Sequence, residues 1–114
     1  MALPLPQKQL ADKLLTNFCE RRVPLHVRDK VYLSHEIRGS KATLFENRPI
    51  WNNPDKWVKM KVAQFRFCKE DDTWTLYCVD RNEKWFLYMD TVPEKDLEKL
   101  LKEVDDDPTC IFWG

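Results

Sequence analysis

Catalysis needs nucleophiles, bases, metal ligands or phosphate-binding loops, and this chain is poor in all of them. Its four cysteines, Cys19, Cys68, Cys78 and Cys110, form no C-x-x-C pair. Only His26 and His35 could serve as a base beside a thiol, and the usual role of such a cysteine is a small buried hydrophobe. Glu36, Glu46, Asp80 and Asp90 fall on or beside expected strands. They could converge as oxygen ligands for Mg²⁺, with Glu46 and Asp80 as the working pair of a small metal-dependent hydrolase. No spacing singles them out, and Arg38, Arg48 and Arg81 offer them ordinary ion pairs. The run Asp105-Asp106-Asp107 reads as a solvated turn. Glycine occurs only at positions 39 and 114. A Walker loop, a dinucleotide fingerprint and a nucleophile elbow each need several glycines at fixed spacing, so none can be built. The residues imply no catalytic set, no metal site and no cofactor.

Binding chemistry is better represented. Lys56, Trp57, Lys59, Lys61, Arg66 and Lys69 interleave cations with Trp57, Phe65 and Phe67. Cations neutralise phosphates and exposed rings stack on bases. Net charge is zero but unevenly spread. Residues 1–69 hold 14 Lys/Arg against 6 Asp/Glu, and residues 70–114 hold 5 against 13, so the halves carry +8 and −8. That split fits two halves complementing each other within one fold, or a basic surface kept for an acidic partner. Trp, Tyr and Arg are the residue types that dominate binding energy at interfaces. Arg48, Trp51, Trp57, Arg66, Arg81 and Trp85 are therefore the candidate binding residues. Arg81 sits in Asp80-Arg81-Asn82, where Asp and Asn also suit a hydrogen-bonded turn.

These residues must be positioned by strands. Trp74 to Tyr88 reads as two aromatic and β-branched arms around the polar turn 80–84, an antiparallel hairpin. Trp74, Leu76 and Cys78 face one way and Thr75, Tyr77 and Val79 the other. Both faces are apolar or aromatic, so the hairpin is either covered twice or keeps one face for a partner. Upstream, residues 30–38 and 41–47 form a second hairpin closed by Gly39-Ser40. Val31, Leu33, His35 and Ile37 share one face, and Tyr32, Ser34, Glu36 and Arg38 the other. Residues 49–54 read as an irregular connection. Residues 57–69 form a further strand, with Ala63, Phe65 and Phe67 opposed to Val62, Gln64, Arg66 and Cys68.

Two helices flank the strands. Leu10, Leu14, Leu15, Phe18 and Cys19 give a helical stripe from Gln7 to about Arg22, ended by Pro24. Leu97, Leu100, Leu101 and Val104 give a second, preceded by a capping-box pattern at Thr91 and Glu94 and ended by Pro108, with Asp105–Asp107 beyond its last turn. The apolar tail Ile111-Phe112-Trp113 is expected to dock. The sum is an α+β fold, a single two-layer domain over residues 1–114. It has an N-terminal helix, an antiparallel meander of about five strands, a C-terminal helix and a docked tail. One sheet face is left uncovered, carrying Tyr32, Phe45, Arg66 and one register of the central hairpin.

The last third carries a resemblance. Thr73-Trp74-Thr75-Leu76-Tyr77, Asp80-Arg81-Asn82 with Trp85, Glu103-Val104-Asp105-Asp106-Asp107-Pro108-Thr109 and the ending Ile111-Phe112-Trp113-Gly114 resemble a bacterial family of small proteins, domain of unknown function 3024. Thr43-Leu44-Phe45-Glu46, Arg48-Pro49 with Trp51, and Val62-Ala63 with Phe65-Arg66 fit it too. The family usually has Gly where this chain has Cys110, and often His where it has Phe86. The resemblance implies a bacterial origin and one compact domain, and brings no activity, substrate or cofactor.

Three readings follow from the residues. The first is a non-catalytic binding module that uses the uncovered aromatic face and the Trp51–Trp57 segment, for a protein partner or a second copy. The second is nucleic-acid binding through residues 56–69. The third is the metal-dependent hydrolase. The lack of a signal-peptide pattern, of a membrane-length apolar run and of paired cysteines leads to the expectation of a cytoplasmic protein with reduced thiols and no membrane partner.

Overall fold

Tight turns need residues that tolerate left-handed backbone, and this chain sets one at each of three hairpin turns. Gly39, Asp72 and Glu83 have φ of 58°, 54° and 62°, a region where short polar residues and glycine cost least. They join β1 (Tyr32–Arg38) to β2 (Lys41–Ile50), β3 (Asn53–Cys68) to β4 (Thr73–Val79), and β4 to β5 (Trp85–Leu87). The result is an antiparallel meander in the order β1-β2-β3-β4-β5. Helix α1 (Leu5–Arg22) precedes the sheet and α2 (Leu97–Asp106) follows it. The computed structural model describes residues 3–113. Met1, Ala2 and Gly114, the last residue of the C-terminal signature, lie outside the described residues.

Alternation sorts the sheet into two faces. Leu33, Ala42, Leu44, Ala63, Phe65, Phe67, Trp74, Leu76 and Cys78 are buried on one face. They form a single core with Ala11, Leu15 and Phe18 of α1 and Leu97, Leu100, Leu101 and Val104 of α2. The hairpin pattern and the α2 stripe are thus as the residues predict. In α1, Ala11 takes the buried position and Leu10 is exposed, so the stripe is narrower than Leu10 suggested. The helix starts at Leu5, with Pro6 in its first turn. His35 reaches across from β1 to Asp12 of α1, Nε2 to Oδ1, at 2.7 Å.

Three local expectations are corrected. Residues 49–54 are not an irregular connection. β2 runs to Ile50 and β3 begins at Asn53, so the two form a ribbon that outruns its neighbours. At 16 residues β3 spans roughly 50 Å at about 3.3 Å per residue, and the molecule's longest dimension is 47 Å. The prolines are tolerated because the ribbon is only two-stranded there. Second, Thr91 and Glu94 do not cap α2. Asp96 is the N-cap and accepts the Glu98 N–H at 3.0 Å. Glu94 instead exchanges two backbone hydrogen bonds with Trp74, at 2.7 and 2.9 Å, which holds the chain extended. Third, Asp105 and Asp106 lie inside the last turn of α2. The dipole penalty there is offset by Arg22, which donates to both the Asp105 carboxylate and its carbonyl.

The tail docks through one carboxylate. Asp107, left-handed at φ 42°, accepts the Phe112 N–H at 3.1 Å and the Trp113 N–H at 2.9 Å. Trp113 Nε1 donates to the Val104 carbonyl at 2.7 Å, and the Arg22 guanidinium lies 4.0 Å over its ring. Phe112 is buried against Tyr88, ring centroids 5.1 Å apart. Between these anchors Cys110 is forced to φ 59°, a left-handed conformation that favours glycine.

Burial pushes the Cys19 and Cys78 thiols up to about 11, Glu20 adding to the effect at Cys19. Burial also lifts the Tyr88 phenol to about 12, with the Glu103 carboxylate it donates to adding to the shift. All three groups favour their protonated forms in the fold. Their contribution is therefore complete below the unfolded values of 9.0 and 10.0 and is lost as pH climbs through the folded ones. Urea midpoints should fall from pH 9 upward, and Tyr88→Phe should flatten only the part above pH 10. Two further variants test the tail in urea. Cys110→Gly should raise stability by about 1 kcal/mol through relief of the left-handed strain. Asp107→Ala should lower it by about 2 kcal/mol as two charge-assisted hydrogen bonds are lost.

Candidate functional site

A single extra residue decides what the second sheet face displays. Leu44 pairs with Ala63, but the next residue of β2, Phe45, pairs with Lys61. Val62 is the bulged residue, and a bulge of this kind reverses which residues point to which side beyond it. Val62 is 4% exposed and joins the core beside Ala63, so the expectation that it would sit opposite Ala63 with Arg66 is corrected. Past the bulge, Lys61, Lys59 and Trp57 emerge on the same face as Gln64 and Arg66.

Both helices and the tail pack on the other side, and the second face is open. Its paired strand positions carry the cations Arg38, Lys41, Lys59, Lys61 and Arg66 and the carboxylate Glu36, and Glu70 and Asp71 meet its edge at Cys68 Sγ, each at 3.7 Å. Between them stand the rings of Tyr32, Phe45, Trp57, Tyr77 and Trp85. Cation and ring are stacked in pairs. The Arg66 guanidinium lies 3.8 Å over Tyr77, Lys59 Nζ 4.2 Å over Phe45, and Lys61 Nζ 5.8 Å from the Trp85 centroid, all within cation–π range. Tyr32 and Trp57 form a tilted pair at 5.1 Å.

A polar seam fixes the middle of the face. Gln64 is buried; its Nε2 donates to Thr43 Oγ1 at 3.0 Å and its Oε1 accepts from Arg66 Nε at 2.7 Å. Asn47, also buried, donates to the Tyr32 carbonyl and to Ser34 Oγ. Lys59 donates to Glu36 at 2.7 Å, and this bond holds the Glu36 carboxyl below its ordinary range. Lys41, Lys61 and Arg66 make no ion pair among the described residues.

Arg38, Lys41 and Arg66 are successive register partners in one row across β1, β2 and β3. Like charges directly opposite each other weaken a sheet. A hollow of about 500 Å³ lies at this row, lined by Glu36, Arg38, Gly39, Ser40, Lys41, Thr43 and Gln64. A larger groove of about 610 Å³ runs between α1 and α2, but Arg21, Lys99 and Lys102 there face Asp96, Glu98, Asp105 and Asp106, so it presents no cationic excess.

The candidate residues divide. Trp57, Arg66 and Trp85 share the open face. Arg48 does not: it points to the helix side, beyond the helices, and pairs with Glu46 at 2.6 Å. Trp51 stands at the ribbon tip, 92% exposed. Arg81 is exposed in the β4–β5 turn, whose shape is set by Asp80 Oδ1 accepting the Asn82 and Lys84 N–H groups at 2.8 and 3.0 Å. The Mg²⁺ candidates are dispersed. Glu36 and Glu46 lie on opposite faces and Asp80 is bound into its turn. Among the described residues no group of three or more His, Cys, Asp or Glu could hold a metal ion. Residue type and spacing alone give no signal that singles out Lys41 and Gln64 on this face. The adjacent apolar pair Val62-Ala63, interrupting an alternating strand, is the one sequence signal that could have found the bulge.

A family described as a domain of unknown function (DUF3024) matches residues 3–114. No curated protein and no solved structure matches. No described helix is long and apolar enough to cross a membrane.

The bulge has a direct test. Val62→Lys buries an unpaired charge and should cost about 3 kcal/mol or more. Met60→Lys, exposed two residues earlier, should stay within about 0.5 kcal/mol. Equal urea midpoints for the two variants would mean that Val62 is not in the core.

Proposed function

The chain belongs to the DUF3024 family, and we propose that it is a non-catalytic binding module whose working surface is the open sheet face and whose partner is anionic. One observation carries this reading. At the paired strand positions of that face Arg38, Lys41, Lys59, Lys61 and Arg66 stand against Glu36, with Glu70 and Asp71 reaching only its edge at Cys68, and among the described residues no helix or tail residue of the core packs over it. The chain's net charge is zero, so a cationic face is a matter of distribution, and such a face raises the local concentration of anionic partners.

The reading narrows the partner. A second copy meeting this face by two-fold symmetry would set the same cations against each other, so self-association through it is disfavoured. The Gln64 and Asn47 hydrogen bonds hold the surface in shape before any partner arrives, which lowers the ordering cost of association. Trp51 stands beyond the face at the ribbon tip, where a ring can add contact area to a partner that overhangs the sheet.

Heparin serves as a polyanion of no particular sequence. The wild-type chain should be retained on a heparin column at low salt. Lys41→Gln combined with Lys61→Gln should elute at clearly lower salt, whereas Lys99→Gln combined with Lys102→Gln on α2 should elute with the wild type. Identical elution of both double variants, or no retention of the wild type, removes the open face as the anion-binding surface.

A further inference from the structure

We infer that the anionic partner of the open face is a single-stranded nucleic acid, its phosphates held by the Arg38–Lys41–Arg66 row and by Lys61, and its bases stacked on Trp57 and Trp85. This rests on the binding reading given above and names its ligand class.

The first argument is the row itself. Lys41 lies between Arg38 and Arg66 as the register partner of each. A folded chain gains nothing from setting like charges directly opposite one another. Glu36, two residues before Arg38, contacts Arg38 only at 4.0 Å and is taken up by Lys59 at 2.7 Å. An anion in the adjoining hollow would neutralise what the protein's own carboxylates leave uncompensated. Arg66 is suited to the task. Its Nε is occupied by Gln64 and its plane is stacked on Tyr77, which leaves the outer edge of the guanidinium fork to meet a phosphate.

The second argument is the interleaving of rings. A surface built only to attract phosphate needs no aromatics. Here the rings of Trp57 and Trp85 rise among the cations, with Trp57 41% exposed. Single-strand binders combine a cationic track with rings on which successive bases stack, and guanidinium planes can serve as well. In a duplex the bases are already paired and stacked, so these rings would find no partner there. The face therefore discriminates by strandedness through its rings and binds backbone through its cations.

The experiment uses the full chain, a fluorescein-labelled oligothymidylate, the same label on a duplex, and heparin as competitor, read by anisotropy across a salt series. The single strand should bind more tightly than the duplex, and its affinity should fall linearly on a log–log salt plot. Arg66→Gln should reduce that slope by roughly 0.7, one phosphate contact fewer. Trp85→Leu and Trp57→Leu should each weaken strand binding roughly fivefold or more while changing heparin affinity by a clearly smaller factor. Unaltered urea midpoints confirm that the variants are folded. Equal affinity for strand, duplex and heparin, with no effect of the Trp variants, overturns the nucleic-acid assignment and leaves general anion binding standing, an acidic protein surface then being its natural partner. No binding to any of the three at low salt overturns both.

Discussion

A strand cannot choose the side of each residue independently; it alternates, and only an inserted residue resets the phase. In β3 that residue is Val62. Without it, Val58 and Met60 would lie on the open face with Gln64 and Arg66, while Trp57, Lys59 and Lys61 would turn toward the helix side. With it, Val62 and Ala63 both enter the core, and the cations before the bulge join those after it. Fully burying a side chain of valine's size favours folding by roughly 1.5 kcal/mol or more. The core thus holds the bulge in place, and the bulge composes the face. One insertion thus couples the burial of Val62 to the placing of Lys59 and Lys61 beside Arg38, Lys41 and Arg66.

Much of the fold was legible because it depends on local patterns. The alternation Trp74, Leu76, Cys78 against Thr75, Tyr77, Val79 named the buried side of β4. The spacing of Leu97, Leu100, Leu101 and Val104 named that of α2. Gly39-Ser40 marked its turn, and Tyr32, Phe45 and Arg66 were correctly set on the uncovered face. What was not legible depends on pairing at a distance. Pro49 and Pro54 argued for a loop, but a two-stranded ribbon leaves one edge of each strand unpaired and admits proline. Glu94 fitted a capping box until Trp74 claimed its backbone. Arg48 was grouped with Arg66 by residue type, yet it lies across the sheet and is paired with Glu46.

The most recognisable stretch of the chain turns out to serve the fold. In Asp107-Pro108-Thr109-Cys110-Ile111-Phe112-Trp113, Asp107 closes α2 in left-handed conformation and ties down two backbone N–H groups of the tail. Trp113 then returns to α2 through the Val104 carbonyl and is capped by Arg22 of α1. Arg22 also holds Asp105. Asp107 and Trp113 therefore converge with Val104 and Asp105 of α2 and Arg22 of α1 on the seam between the helices, on the side of the sheet away from the cationic face. The contacts of this stretch account for its residues through the fold alone and carry no indication of a ligand.

The open face has the opposite character. It contains little that a stability argument requires and one arrangement that such an argument disfavours, the row Arg38, Lys41, Arg66. Intramolecular stacking recovers part of the cost, since Arg66 rests on Tyr77 and Lys59 on Phe45, and each such contact is worth roughly 0.5–1 kcal/mol at an exposed site. Stacking leaves the charge in place, however, and charge of one sign across neighbouring strands is relieved only by a counter-charge. Salt ions supply it weakly and without order. A bound polyanion supplies it at fixed positions, and whatever binds the folded chain alone also stabilises it. The local instability of this row and the affinity proposed for the face would thus be the same electrostatic energy, seen without and with a bound polyanion.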